Sequence, residues 1–295
     1  MKRLLIVLVL AVVAAFVYIR VNELDVLLWQ SWTLNRQPLP ERALDLGRYR
    51  VDIEAAPIPQ LEDDLSALTY NHESDTLFGV LNGRPLLVEI SLEGELLRQV
   101  TVHGVDDMEG LAHISGDRFV LAEERAHRLI LADIPRDATE INVEGMRSLT
   151  IGLDQDGNVG FEGLTWDHIK GELLVVKERD PLRLLRVQGF VDALESGSVS
   201  ITEIKRSDSD QLFMADLSAL SLDENSGHLL LLSDESHMAV EYDQDSQAVS
   251  VLGLWRGMSG LGATVPQAEG IAIDAQKRIY IVSEPNLFYR FVRED

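Results

Sequence analysis

The chain opens with an apolar run from Leu4 to Ile19 that no polar residue interrupts, with Lys2 and Arg3 before it and Arg20 after it. As a helix, sixteen such residues span about 24 Å, close to the ~30 Å of a bilayer core, and Arg20 can snorkel to the interface. A retained transmembrane signal anchor over residues 1–22 is the expectation. A cleaved signal peptide is the alternative. Val13-Ala14-Ala15 offers small residues at a suitable spacing, but Phe16 to Ile19 keep the segment apolar beyond them. The excess of positive charge places Lys2 and Arg3 in the cytoplasm and the rest of the chain outside it. Leu24, Val26, Leu27, Leu28, Trp29 and Trp32 predict an amphipathic stretch at the interface, inside a juxtamembrane linker over residues 23–44.

From residue 45 the pattern changes to short apolar runs, each followed by a polar turn and a second apolar run. Residues 64–70 lead to 77–80, 108–112 to 119–122, 161–166 to 173–176, 216–222 to 229–232 and 268–273 to 279–282. The turns hold Asn71, Ser115-Gly116-Asp117, Lys170-Gly171, Asn225-Ser226-Gly227 and Ala275-Gln276-Lys277, which are hairpin signals. The runs are too short and too interrupted for helices, and apolar enough to be buried on both faces.

Ser66, Glu109, Glu162, Ser218 and Glu269 occupy one position of this unit, at successive gaps of 43, 53, 56 and 51 residues. The chain left over at the two ends fills one further interval. Propeller blades repeat every ~40–50 residues with four strands each. Residues 45–295 therefore predict an all-β, five-bladed β-propeller whose last blade is completed by a strand near residues 49–53. A six-bladed ring is the alternative.

In each unit the second strand ends 15 or 16 residues after that first position, at Asn82, Glu124, Glu178, Asp234 and Glu284. A strand that leaves and a strand that returns bring start and end side by side, so both sets are expected on one face. Glu109, Glu162, Glu269, Glu124, Glu178, Asp234 and Glu284 are then candidate metal ligands, with Ser66, Ser218 and Asn82 lining the site. So many like charges near one axis call for a cation or for retained protons. Ca²⁺, with six to eight oxygen ligands, fits this set better than Zn²⁺. The competing reading pairs these carboxylates with Arg179, Arg183 or Arg128. The glycine after each ring glutamate allows close backbone approach at the axis.

Composition agrees with a cation partner. Asp and Glu number 49 against 26 Lys and Arg, a formal charge of −23. That surface repels phosphate backbones, so nucleic acid is excluded as a partner. There is no cysteine, which removes disulfides and thiolate chemistry.

The segments Pro266-Gln267-Ala268-Glu269-Gly270-Ile271-Ala272-Ile273 and Ser283-Glu284-Pro285-Asn286-Leu287-Phe288-Tyr289-Arg290-Phe291 resemble the SdiA-regulated family, as do residues 65–80 and 107–131. The likeness covers nearly everything after residue 45. It implies a propeller similar to those built from NHL repeats, carried by a protein anchored in the bacterial inner membrane with its propeller in the periplasm. Phe161-Glu162-Gly163-Leu164-Thr165-Trp166-Asp167 also resembles the first-blade segment of the gluconolactonase and senescence-marker propellers. That resemblance implies Glu162 as a ligand of a divalent metal. The threefold Glu-Gly pattern departs from those enzymes and puts the lactonase reaction in doubt.

Other candidates are weaker. His127 and His237 each lie three residues past the second set and are candidate general bases. The other five histidines look scattered. Asp154-Gln155-Asp156-Gly157-Asn158 lacks calcium-loop spacing and reads as a turn. Arg84, Arg125 and Arg179 follow the second set and are expected to pair with carboxylates. No nucleophile elbow or phosphate loop occurs, and the glycine-rich residues 253–262 read as the loop leading to the last unit. The expected function is a Ca²⁺-binding interaction module for a small molecule or an envelope partner. A metal-dependent esterase or lactonase is the alternative.

Overall fold

The computed structural model describes residues 2–21, 23–61, 64–152, 160–179, 181–192, 197–206 and 212–294. The Asp154–Asn158 motif lies outside the described residues. The apolar N-terminal run forms α1 (Lys2–Val21), longer than the apolar run alone because Lys2, Arg3, Arg20 and Val21 join it. Residues 3–21 are exposed along their whole length, and the helix is long and apolar enough to cross a membrane.

A second helix, α2 (Leu24–Leu34), follows. It buries Leu27 and Leu34 while Leu28, Trp29 and Trp32 stay half exposed or more. Leu27 joins a core cluster with Met238 and Val240, so the segment expected as a linker carries a helix docked on the propeller. Trp29 and Trp32 stack at 5.2 Å on the outer side.

The strands begin with β1 (Tyr49–Pro57). The first blade is β2 (Leu65–Asn71), β3 (Thr76–Leu81), β4 (Leu86–Ile90) and β5 (Leu96–His103). The second is β6 (Met108–Ser115), β7 (Arg118–Glu123) and β8 (Arg128–Asp133). Next, β9 (Glu140–Asn142) crosses to pair in parallel with β5, and β10 (Ser148–Thr150) returns to finish the second blade. The third is β11 (Phe161–Asp167), β12 (Glu172–Lys177), β13 (Arg183–Gln188) and β14 (Ser200–Arg206). The fourth is β15 (Ala219–Asp223), β16 (His228–Ser233), β17 (Met238–Tyr242) and β18 (Ala248–Gly253). The fifth is β19 (Ala268–Ile273), β20 (Ile279–Ser283) and β21 (Leu287–Arg293), completed by β1 pairing antiparallel with β21. The ring has five blades, and the first strand of the propeller closes the last.

Each inner strand touches the next around the axis, and β19 touches β2. Five apolar clusters fill the gaps between neighbouring blades. Strands β12, β16 and β20 are buried at every residue, as the apolar runs at their centres require.

The N-terminal connection is fastened by a buried carboxylate. Glu241 on β17 is fully buried. It accepts from the backbone N–H of Leu44 at 2.7 Å and of Asp45 at 3.3 Å, and from His228 Nδ1 at 2.7 Å. Glu241→Gln trades one acceptor for a donor among these N–H groups. The variant is expected to lose about 2 kcal/mol of stability, read as a lower urea midpoint with an unchanged slope.

Candidate functional site

The ring positions owe their aim to β-bulges. Pairing skips from Leu65 to Ala67, Met108 to Gly110, Phe161 to Gly163 and Ala268 to Gly270. The residues passed over are Ser66, Glu109, Glu162 and Glu269. A bulged residue leaves the alternation of the strand and turns its side chain aside. In the fourth blade Ser218 sits one residue before β15, its N–H bonded to the Leu232 carbonyl at 3.0 Å.

The glycine after each ring glutamate is a packing necessity. A Cβ on Gly270 would lie 2.8 Å from Leu68 N, and one on Gly163 would lie 2.9 Å from Ala219 Cα and Leu220 N. Those atoms belong to the inner strand of the next blade. Any larger residue would push blades apart where they converge.

The second set returns beside the first, as expected. The N–H groups of Asn82, Glu124, Glu178 and Glu284 bond the carbonyls of Asp64, Asp107, Gly160 and Gln267, each two residues before a ring position. A cavity of about 190 Å³ opens there. Glu109, Glu162 and Glu269 border it from three blades, with Ser218, Glu178, Asp234 and Glu284 around them. Glu124 is buried, and single oxygens of Glu124, Glu162 and Glu178 lie within 4.8 Å of one another, as do those of Asp107, Glu109 and Glu124. Asn82 Nδ2 donates to Glu109 Oε1. Ser66 Oγ donates to the Asp64 carbonyl at 3.0 Å and also lies within hydrogen-bonding reach of Glu109.

Burial and mutual repulsion hold protons on this cluster. Burial, with the charges of Glu124 and Glu269, pushes Glu109 up to about 9. Burial, with Asp234 and Glu284, pushes Glu269 up to about 8. Glu162 is raised well above the carboxylate range by burial and by Glu109, Glu124 and Glu178. Glu124 rises to about 7 through burial and Asp107.

Two buried carboxylates escaped the sequence reading, besides Glu235 at the rim of the cavity. Asp216 borders the cavity, accepts from Ser233 Oγ and rises to about 6 through burial. Asp107 is buried beside Glu109, 2.9 Å from Arg125 Nε. Both lie two residues before a ring position, an offset that the repeat alignment would have exposed. Arg179 reaches the same mouth and pairs with Glu178 and Glu235. Arg183 and Arg128 pair with Glu203 and Glu123, outside the cluster.

His127 and His237 hold equivalent turn positions, each with its N–H on the carbonyl three residues back. Their rings pack on Phe161 and Trp255, at 5.5 and 4.7 Å between centroids. Neither borders the carboxylate cavity.

Three of the other five histidines are not scattered, which corrects the expectation for them, while His228 and His103 pair elsewhere with Glu241 and Glu140. His72, His113 and His168 meet at the opposite mouth of the ring, where a second cavity of about 160 Å³ opens. Asn71 and Asp167 cap the inner hairpin turns by accepting backbone N–H groups. The residues that follow them are His72 and His168. In the fourth blade Glu224 occupies the same place and bonds His168 Nδ1. Burial opposes charging His168, but Glu224 outweighs it and raises that imidazole above its ordinary value. Burial pushes His113 down to about 4.

These features define a five-bladed propeller with an acidic cavity at one end of its axis and a histidine cluster at the other. The chain belongs to the SdiA-regulated family, whose sequence profile matches residues 41–292. Among solved structures, a chain of a nidogen/laminin complex shares 13% identity at a TM-score of 0.50, over 80% of this chain and 85% of that one. Virginiamycin B lyase from Staphylococcus aureus shares 11% identity at a TM-score of 0.44, over 80% of this chain and 69% of its own. At such identities the likeness concerns the fold alone.

Proposed function

We propose that this protein is a membrane-anchored, extracytoplasmic binding propeller whose carboxylate mouth takes Ca²⁺. One observation carries the reading. Glu109, Glu162 and Glu269 come from three separate blades and share one cavity, where burial and repulsion raise all three. A divalent cation removes that repulsion and releases the retained protons. The mouth offers carboxylates and a serine hydroxyl, with no histidine among the described residues that border it. That is a hard-oxygen donor set suited to Ca²⁺. The exposed apolar α1 supports the anchor, and Lys2 and Arg3 ahead of it support a cytoplasmic N-terminus. Trp29 and Trp32 suit the headgroup region beside it.

Titration calorimetry of the detergent-solubilised chain tests the reading. One Ca²⁺ is expected to bind with release of protons, and with more protons released at pH 6 than at pH 9. Glu162→Gln should weaken binding at least ~10-fold. Calcium binding unaffected by Glu162→Gln, or absent from the wild type, would overturn the assignment.

A further inference from the structure

We propose that His72, His113 and His168 form a second metal site, for a borderline transition ion of the Zn²⁺ class, at the mouth opposite the carboxylates. The two mouths are separated by the length of the inner strands. His72 lies six residues past Ser66, which at extended spacing is about 20 Å. The site therefore stands independently of the calcium reading.

Three observations on separate residues support it. Ring nitrogens of the three histidines lie within 4.8 Å of one another, and the rings of His72 and His168 meet edge to face at 4.8 Å between centroids. Nitrogens on a tetrahedral ion at Zn–N ~2.1 Å stand ~3.4 Å apart. Small rotations of His72 and His168, both exposed on hairpin turns, close that difference.

The second is the state of His113. It is 2% exposed, and its Nε2 stands 3.1 Å from the Gly116 carbonyl. That carbonyl can only accept, so Nε2 carries the proton and Nδ1 presents a lone pair. Nδ1 is buried with no hydrogen-bond partner among the described residues. A buried acceptor left empty is unfavourable, and a metal ion is the partner that its lone pair suits. The third is His168, whose Nδ1 is held by the Glu224 carboxylate, which directs ligation to the other ring nitrogen in exchange for the hydrogen bond the ring makes to the Ile114 carbonyl. In metal sites the second ring nitrogen of a ligating histidine is held in this way, by a carbonyl or a carboxylate.

Imidazole nitrogens select Zn²⁺ and its neighbours over Ca²⁺. Three protein ligands leave a fourth position, and the adjoining cavity gives it room for water or a small anion.

The test uses the full chain in detergent, stripped by chelator and held in excess Ca²⁺ so that the carboxylate mouth does not compete. Zn²⁺ calorimetry is expected to show one tight equivalent, and Co²⁺ to give the intense visible bands of a four-coordinate site. Azide should shift those bands by entering the open position. His72→Gln lies on an exposed turn and should fold normally by circular dichroism, yet bind Zn²⁺ at least ~10-fold more weakly. His168→Gln should behave alike. The absence of tight Zn²⁺ binding, or full binding in both variants, would overturn the site. Cobalt bands indifferent to azide would overturn its open position.

Discussion

Stripped of metal, the protein is expected to lose thermal stability as pH rises from 5 to 9, and Ca²⁺ is expected to restore it. The sign follows from the direction of the shifts. Glu109, Glu269, Glu124 and Asp216 titrate in the folded state near 9, 8, 7 and 6, all above the values of free carboxyls. Between those limits the fold holds protons that the unfolded chain has released. Stability from these groups is complete below pH ~4 and is lost as pH climbs through 6 to 9. The loss should reach the order of 5 kcal/mol, or roughly 10 °C in Tm. Bound Ca²⁺ takes the place of the protons, so at 100-fold excess over its Kd it should return about 2.7 kcal/mol at pH 9. Differential scanning fluorimetry across pH, with chelator and with Ca²⁺, reads both effects. A flat profile in chelator would show that the cluster is not under charge strain.

Gly270→Val is expected to cost 5 kcal/mol or more, enough to prevent folding of the propeller. Its Cβ alone would sit 2.6 Å from Val282 Cγ2, 2.8 Å from Leu68 N and 2.9 Å from the Ala67 carbonyl carbon. Two of those atoms are backbone of β2, the strand against which β19 closes the ring. Neither can move without opening the joint between the first and last blades. Among the described residues a Cβ on Gly152 would meet nothing within 4 Å, so Gly152→Val should stay within about 1 kcal/mol. Chemical denaturation of the two variants side by side separates axial crowding from the general effect of replacing glycine. Comparable losses in both would refute the packing argument.

The apolar N-terminal helix, the blade count and the mouth shared by Glu109, Glu162 and Glu269 could all be read from the chain alone. Each rests on a local property: unbroken apolarity, a repeat near 50 residues, and a strand that returns to where it began. The β-bulges were foreshadowed by the Glu-Gly steps, since the glycine marks where backbones crowd. The docking of α2 was not legible, because Leu27 differs from its apolar neighbours only in what it faces.

The histidine cluster marks the boundary most clearly. His72, His168 and Glu224 stand at one repeat position, six residues past Ser66, Glu162 and Ser218, so their shared mouth was available to a full alignment of the units. His113 is four residues past Glu109 and breaks that register. Its arrival beside His72 and His168 depends on how β6 is packed between β2 and β11. Periodicity along a chain specifies which residues reach an end of the ring. Which of them touch there, and which are left without a partner, is decided by the contacts between blades, and those join residues that the sequence keeps 40 or more positions apart.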